Sequence, residues 1–207
     1  ALSGNDIFSG GGLYADLATY NTNHLHGFVA VTCLTAMTKN GFEVFATDSQ
    51  IFAHQLNSLK DVEFSAIKLG LLPNVEIAEL ALDFVKNHSD IPVVLDPVLV
   101  CKESHDVEVS ALRDELLKFF PYVTIITPNL VEAELLSQRS IKTLEDILRN
   151  DFLEDSPAGR HLICMGLRAA EEAIRSSVFW MKVESRREEH TLEEAVELIR
   201  NLCREVG

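Results

Sequence analysis

"IPVVLDPVLV", Ile91–Val100, is apolar almost throughout and is interrupted by a single carboxylate, Asp96. A β-branched run this short, punctuated by prolines, reads as a strand buried on both faces, which is the pattern of a parallel sheet covered by helices. Its neighbours agree. Before it, "EIAELALDFVKNH" repeats apolar residues at helical spacing, and after it the amphipathic "ALRDELLKFF" feeds a second apolar run, "YVTIITPN". Further out, "LVEAELLS" resumes a helix, while "FSAIKLG" is a strand preceded by a helix over residues 51–59. Nearer the start, residues 13–20 read as a short helix and "GFVAVTCLTAM" as a strand running into polar "TKNG". Helices and strands that alternate in this way predict an α/β fold with a mostly parallel sheet.

The polar residues fall at the outgoing strand ends, in "TAMTKN", "KLG", "LDP" and "TPN". Open α/β sheets bind ligands outside those carboxyl ends. Turn residues also gather there for purely geometric reasons, so position alone leaves both readings open.

A chain of 207 residues with 47% hydrophobic content is long enough to bury a substantial core in one domain, with or without an appendage. A formal net charge of −14 argues against a general grip on nucleic acid or an anionic membrane, since either would be repelled over most of the surface. Cys33, Cys101, Cys164 and Cys203 are widely spaced and form no CxxC pair, so neither a zinc site nor a redox motif is indicated. No run has the length of a membrane span and the start lacks a signal-peptide pattern, which together give the expectation of a cytoplasmic protein. Only Ala1 and Leu2 precede the glycine-rich "SGNDIFSGGGLYAD", leaving little room for an opening strand and suggesting a trimmed start.

That glycine stretch fits neither the Walker pattern nor GxGxxG. Its glycines are compatible with backbone lying close to a flat ligand, with Asp16 accepting hydrogen bonds from a ring substituent, and equally with a tight turn before a helix. Asp96, at the end of a buried strand, calls for a cation, a metal-bound water or a hydrogen-bonded loop, or else caps the next helix. Asn129 and Glu132 span a strand-to-helix turn as an ordinary helix start would. Taken with Asp96, they also suit magnesium and a nucleotide phosphate. Lys68 is either a phosphate neutraliser or a surface charge, and Cys101 either a nucleophile or a small apolar side chain. "HLH", His24 and His26, has the spacing of a metal pair on a strand but no further ligand in view.

Taken in order, "SGNDIFSGGGLYADLATY", "VTCLTAMT", "IKLGLL", "VVLDPVLVCK" and "VTIITPNLVEAELLS" resemble the pyridoxal kinase and hydroxymethylpyrimidine kinase branch of the ribokinase-like superfamily. The resemblance covers residues 1–148. It implies an α/β/α sandwich with a mostly parallel central sheet, and magnesium-dependent transfer from ATP to the hydroxymethyl group of a substituted pyridine or pyrimidine. It also implies that Gly11 and Asp16 line the ring site with Val98 packed nearby, that Asp96 and Glu132 belong to the magnesium and phosphate region, and that Asn129 lies toward the nucleotide. A homodimer is common in such proteins.

Two positions bear on the substrate. Pyrimidine kinases of this branch carry glutamine where this chain has Met37, and methionine cannot supply the hydrogen bonds, which favours a pyridine vitamer. Cys101, in "VCK", matches a cysteine of the pyridoxal kinases that adds to the substrate aldehyde. Members of the branch also carry a "KGG" strand end and a "GAGC" or "GTGD" anion-hole loop, and neither occurs in these 207 residues. Residues 149–207 are thus expected to be a divergent or incomplete portion of the same domain, with a strand in "GRHLICMG" and two helices. The resulting expectation is a pyridoxal or pyridoxine kinase, with a hydroxymethylpyrimidine phosphate kinase and a vitamer-binding protein without turnover as alternatives.

Overall fold

A computed structural model describes residues 1–99, 106–140 and 161–162. In chain order its elements are β1 (Leu2–Ser3), α1 (Gly12–Thr22), β2 (Ala30–Val31), β3 (Cys33–Thr38), β4 (Gly41–Ala46), α2 (Ser49–Leu59), β5 (Ile67–Leu69), α3 (Val75–Lys86), β6 (Val93–Leu95), α4 (Asp106–Leu117), β7 (Ile125–Ile126), α5 (Leu130–Ser137) and β8 (His161–Leu162). Among the described residues no helix is long and apolar enough to cross a membrane.

Six strands form one sheet in the order β2-β1-β5-β6-β7-β8, and every neighbouring pair is parallel. The alternation of apolar strands and helices fits this arrangement, because parallel neighbours need a crossover, and α1, α2, α3 and α4 each lie within one. The core sits where strand residues Leu2, Ile67, Leu69, Val93, Leu95 and Ile126 meet helix residues that include Phe52, Ile77, Leu82, Val85, Leu112 and Leu116. Helix starts are fixed by side chains. Asp48 accepts from the backbone N–H groups of Gln50 and Ile51 at the head of α2, and Asn74 from that of Ile77 at the head of α3.

The opening strand is as short as the sequence leaves room for: β1 has two residues here and lies between β2 and β5, bonded to both. Two expectations need correction. "GFVAVTCLTAM" is not one strand ending at the sheet's carboxyl edge. Only Ala30–Val31 joins the sheet, while Cys33–Thr38 folds into an antiparallel hairpin with Gly41–Ala46. The turn at Lys39–Asn40 is closed by Gly41 at φ 113°, a conformation that favours glycine. Finally, His24 and His26 lie in the loop after α1 rather than on a strand, His24 at φ 57° and His26 edge-on to Phe28 with centroids 4.8 Å apart. The strand expected in "GRHLICMG" is present as β8, paired with β7. The two helices expected after it lie outside the described residues, as does Cys101.

Candidate functional site

Strand order sets the location. The chain passes from β1 to β2 on one side and from the hairpin and α2 back to β5 on the other, so the direction of winding reverses between β1 and β5, where open α/β sheets form their crevice. Backbone hydrogen bonds step across the exits of successive strands. Gly70 N–H donates to Leu2 O at 2.8 Å, Asp96 N–H to Leu69 O at 2.8 Å, and Thr127 N–H to Leu95 O at 2.9 Å. This staircase brings "KLG", "LDP" and "TPN" side by side.

The glycine stretch supplies one wall. Gly12 sits at φ 57°, and a Cβ there would overlap the Gly4 carbonyl oxygen, so this glycine is needed for the chain to return against the end of β1. The close approach the glycines permit is therefore, at Gly12, to the protein's own backbone. Gly11 is the N-cap of α1, in extended conformation. The hairpin lies against the same stretch: Thr35 N–H donates to Asn5 Oδ1 at 2.6 Å, and Ile7 N–H to Thr35 Oγ at 3.3 Å. Met37 shares the strand face of Cys33 and Thr35, which looks onto this stretch, and stands two residues further out, exposed and paired with Phe42.

Asp16, one turn into α1, has a well-covered side chain and meets Lys68 of β5, with Nζ 3.1 Å from Oδ1 and 3.3 Å from Oδ2. The same ammonium lies 3.9 Å from Asp96 Oδ2. Lys68 is thus not a loose surface charge; its ammonium bridges two carboxylates. Beyond Asp96, the chain turns at Pro97 with Val98 N–H donating back to Asp96 O at 2.9 Å, and Val98 is half-buried.

Asn129 and Glu132 form a reciprocal capping box at the head of α5. Glu132 N–H donates to Asn129 Oδ1, and Asn129 N–H to Glu132 Oε2, each at 2.9 Å. The helix-start reading of this pair is therefore correct as geometry. It does not exhaust Glu132, which is buried and whose carboxyl is pushed up to about 7. Burial is the main cause, the Asp96 charge adds to it, and hydrogen bonds from Asn129 and the Leu99 backbone oppose it. Asp96 is also shifted upward, by burial first and by Asp16 less, against the pull of Lys68.

These donors fit a hard divalent cation. Asp16, Asp96 and Glu132 carry three formal negative charges against the single positive charge of Lys68. Two neighbouring carboxylates whose charged forms are disfavoured gain from a cation between them. Magnesium characteristically takes one or two protein carboxylates and completes its shell with water and substrate phosphates. Among the described residues no group of three or more His, Cys, Asp or Glu side chains forms a self-sufficient metal cage. Lys68 is the member of this site whose bridging role went unread in the sequence. The available signal was its place in β5, one pleat before the exit of the strand next to Asp96.

The sequence profile of the phosphomethylpyrimidine kinase family matches residues 6–182, extending past the 1–148 of the motif resemblance. The chain is 37% identical over 156 residues to a pyridoxine kinase of Bacillus subtilis, covering 71% of this chain and 56% of that one. It is 32% identical over 153 residues to a hydroxymethylpyrimidine/phosphomethylpyrimidine kinase of Aquifex aeolicus, covering 71% and 59%. The fold is similar to a Staphylococcus aureus pyridoxal kinase solved in complex with AMP-PCP and pyridoxal, at a TM-score of 0.70 and 30% identity, covering 82% of this chain and 62% of that one. The chain thus spans little more than half the length of the curated relatives it matches. Its parallel sheet, its strand-end carboxylates and these similarities place it together: the chain belongs to the phosphomethylpyrimidine kinase family, with a ribokinase-like fold.

Proposed function

We propose that this chain supplies the ring-binding and metal-binding parts of a cytoplasmic kinase that transfers the γ-phosphoryl group of ATP to the 5′ hydroxymethyl oxygen of pyridoxal or pyridoxine. The observation that carries the reading is the charged row at the winding reversal, with Asp16 on the glycine-stretch side and Asp96 and Glu132 on the other. A kinase of a small alcohol needs these two halves: an acceptor that orients the ring, and an anionic pair that holds the cation of the nucleotide.

Asp16 would accept a hydrogen bond from a ring substituent, with Gly11 and Val98 lining the pocket and Met37 closing its hairpin side. Asp96 and Glu132 would hold Mg2+, which, when bound with ATP, neutralises charge on the transferring phosphate. Asn129, fixed by its capping box, would face the nucleotide. Cys101, outside the described residues, would capture the aldehyde of pyridoxal: its sulfur bonds to the carbonyl carbon and its proton passes to the oxygen. The likeness to pyridoxine and pyridoxal kinases supports this reading.

A pyrimidine substrate is the second reading, favoured by the likeness to the Aquifex aeolicus enzyme. Met37 is the position on which the two readings divide. Calorimetric titration with pyridoxine and with 4-amino-5-hydroxymethyl-2-methylpyrimidine should give tighter binding of pyridoxine, and Met37→Gln should move the preference toward the pyrimidine by about tenfold, the worth of one good hydrogen bond. Tighter binding of the pyrimidine by the unmodified chain would reverse the assignment.

A further inference from the structure

Lys68 touches both halves of the site and belongs to neither. Its ammonium is 3.1 Å from Asp16 and 3.9 Å from Asp96, with 23% of the side chain exposed, against 14% for Asp16 and 40% for Asp96. An ion pair this sheltered fixes geometry more firmly than a surface pair. Gly70, two residues on, makes the reach possible: a Cβ there would lie 2.9 Å from Lys68 Nζ and 2.7 Å from Ser3 Oγ. Ser3 Oγ is buried and makes no hydrogen bond within the described residues, so it does not hold the ammonium. Its position is set by the two carboxylates.

We infer that Lys68 is a positioning residue that links the ring pocket to the cation site: it orients Asp16 for the substrate and occupies, with its own positive charge, part of the field in which Asp96 would hold a divalent cation. The inference rests on the proposed function for the identity of the ring ligand, but its cation half does not. Opposite effects on the two ligands follow. Neutralising Lys68 releases Asp16 and weakens ring binding, while it removes a like charge from beside the cation site and tightens metal binding. General damage to the site would weaken both.

The test uses the full chain, with Lys68→Met, Lys68→Gln and Lys68→Arg compared to the unmodified protein. Mn2+ binding without nucleotide is followed by the EPR signal of the free ion, and pyridoxine binding by calorimetry. Lys68→Met and Lys68→Gln should bind Mn2+ on the order of threefold to tenfold more tightly and pyridoxine about tenfold more weakly. Lys68→Arg, which keeps the charge, should stay within about twofold on both. Lys68→Gln retains a donor for Asp16 and so guards against loss of folding in Lys68→Met. Failure of the unmodified protein to bind pyridoxine would remove the functional reading, and the Mn2+ measurement would still decide the cation half. Unchanged Mn2+ affinity on neutralising Lys68, or both affinities falling together, overturns the inference.

Discussion

Lys68 Nζ lies 3.1 Å from Asp16 Oδ1, joining a helix that follows the first strand of the sheet to the strand that lies beside it across the winding reversal. The pair spans fifty-two positions of sequence. Asp16→Asn keeps the size of the side chain and removes its charge. Calorimetry should show pyridoxine binding weakened by about tenfold, with thermal stability little changed because neither partner belongs to the apolar core. Unaltered binding would take Asp16 out of the ring site.

Glu132 links stability to pH. Its carboxyl is pushed from 4.5 up to about 7 in the folded chain, so the folded form holds the proton more tightly than the unfolded one. Sign follows from that: the group costs nothing below about pH 4.5, costs progressively more as pH rises, and reaches its full cost above about pH 7. Glu132→Gln keeps an acceptor for the Asn129 N–H and removes the buried charge. In EDTA it should raise unfolding free energy at pH 8 by about 3 kcal/mol and leave it nearly unchanged at pH 4.5. Equal stability of the two proteins at pH 8, read by urea denaturation, would contradict the assignment.

Gly12→Ala should destabilise the protein by about 2 kcal/mol or more, because the residue is at φ 57° and its new Cβ would overlap the Gly4 carbonyl. Gly10→Ala is the control. Its Cβ would meet nothing closer than Asp6 Oδ2 at 3.4 Å, so its cost should stay below about 1 kcal/mol. Comparable urea midpoints for the two variants would show that the turn is not built as described.

Cys101→Ala separates the two vitamers. Only pyridoxal has the aldehyde that a thiol adds to, so its binding should weaken by about tenfold while that of pyridoxine changes little. Equal effects on both would exclude covalent capture.

The parallel sheet was legible because "IPVVLDPVLV", "YVTIITPN" and "FSAIKLG" are short apolar runs separated by helical patterns, and that alternation admits few topologies. The hairpin was not, since "GFVAVTCLTAM" has unbroken strand character and period alone does not show where a chain leaves one sheet for another. The Asn40-Gly41 pair ahead of "FEVFA" was the missed turn signal. Asp16, Asp96 and Glu132 were legible as carboxylates at strand exits or helix starts, and the sheet order then brings those exits to one edge. The Lys68 bridge was not, because a contact across fifty-two residues depends on which strands become neighbours, and Gly70's role depends on a side chain passing over it.

The proposal that this chain carries the ring-binding and metal-binding parts of a kinase acting on the 5′ hydroxymethyl group of a pyridine vitamer is tested most directly by incubating the purified protein with MgATP and, separately, pyridoxal, pyridoxine and 4-amino-5-hydroxymethyl-2-methylpyrimidine, with products followed by mass spectrometry. Phosphorylated pyridoxal or pyridoxine should accumulate over many turnovers and disappear with Asp96→Asn. Phosphorylation of the pyrimidine alone, or binding of a vitamer with no phosphorylated product, would contradict it.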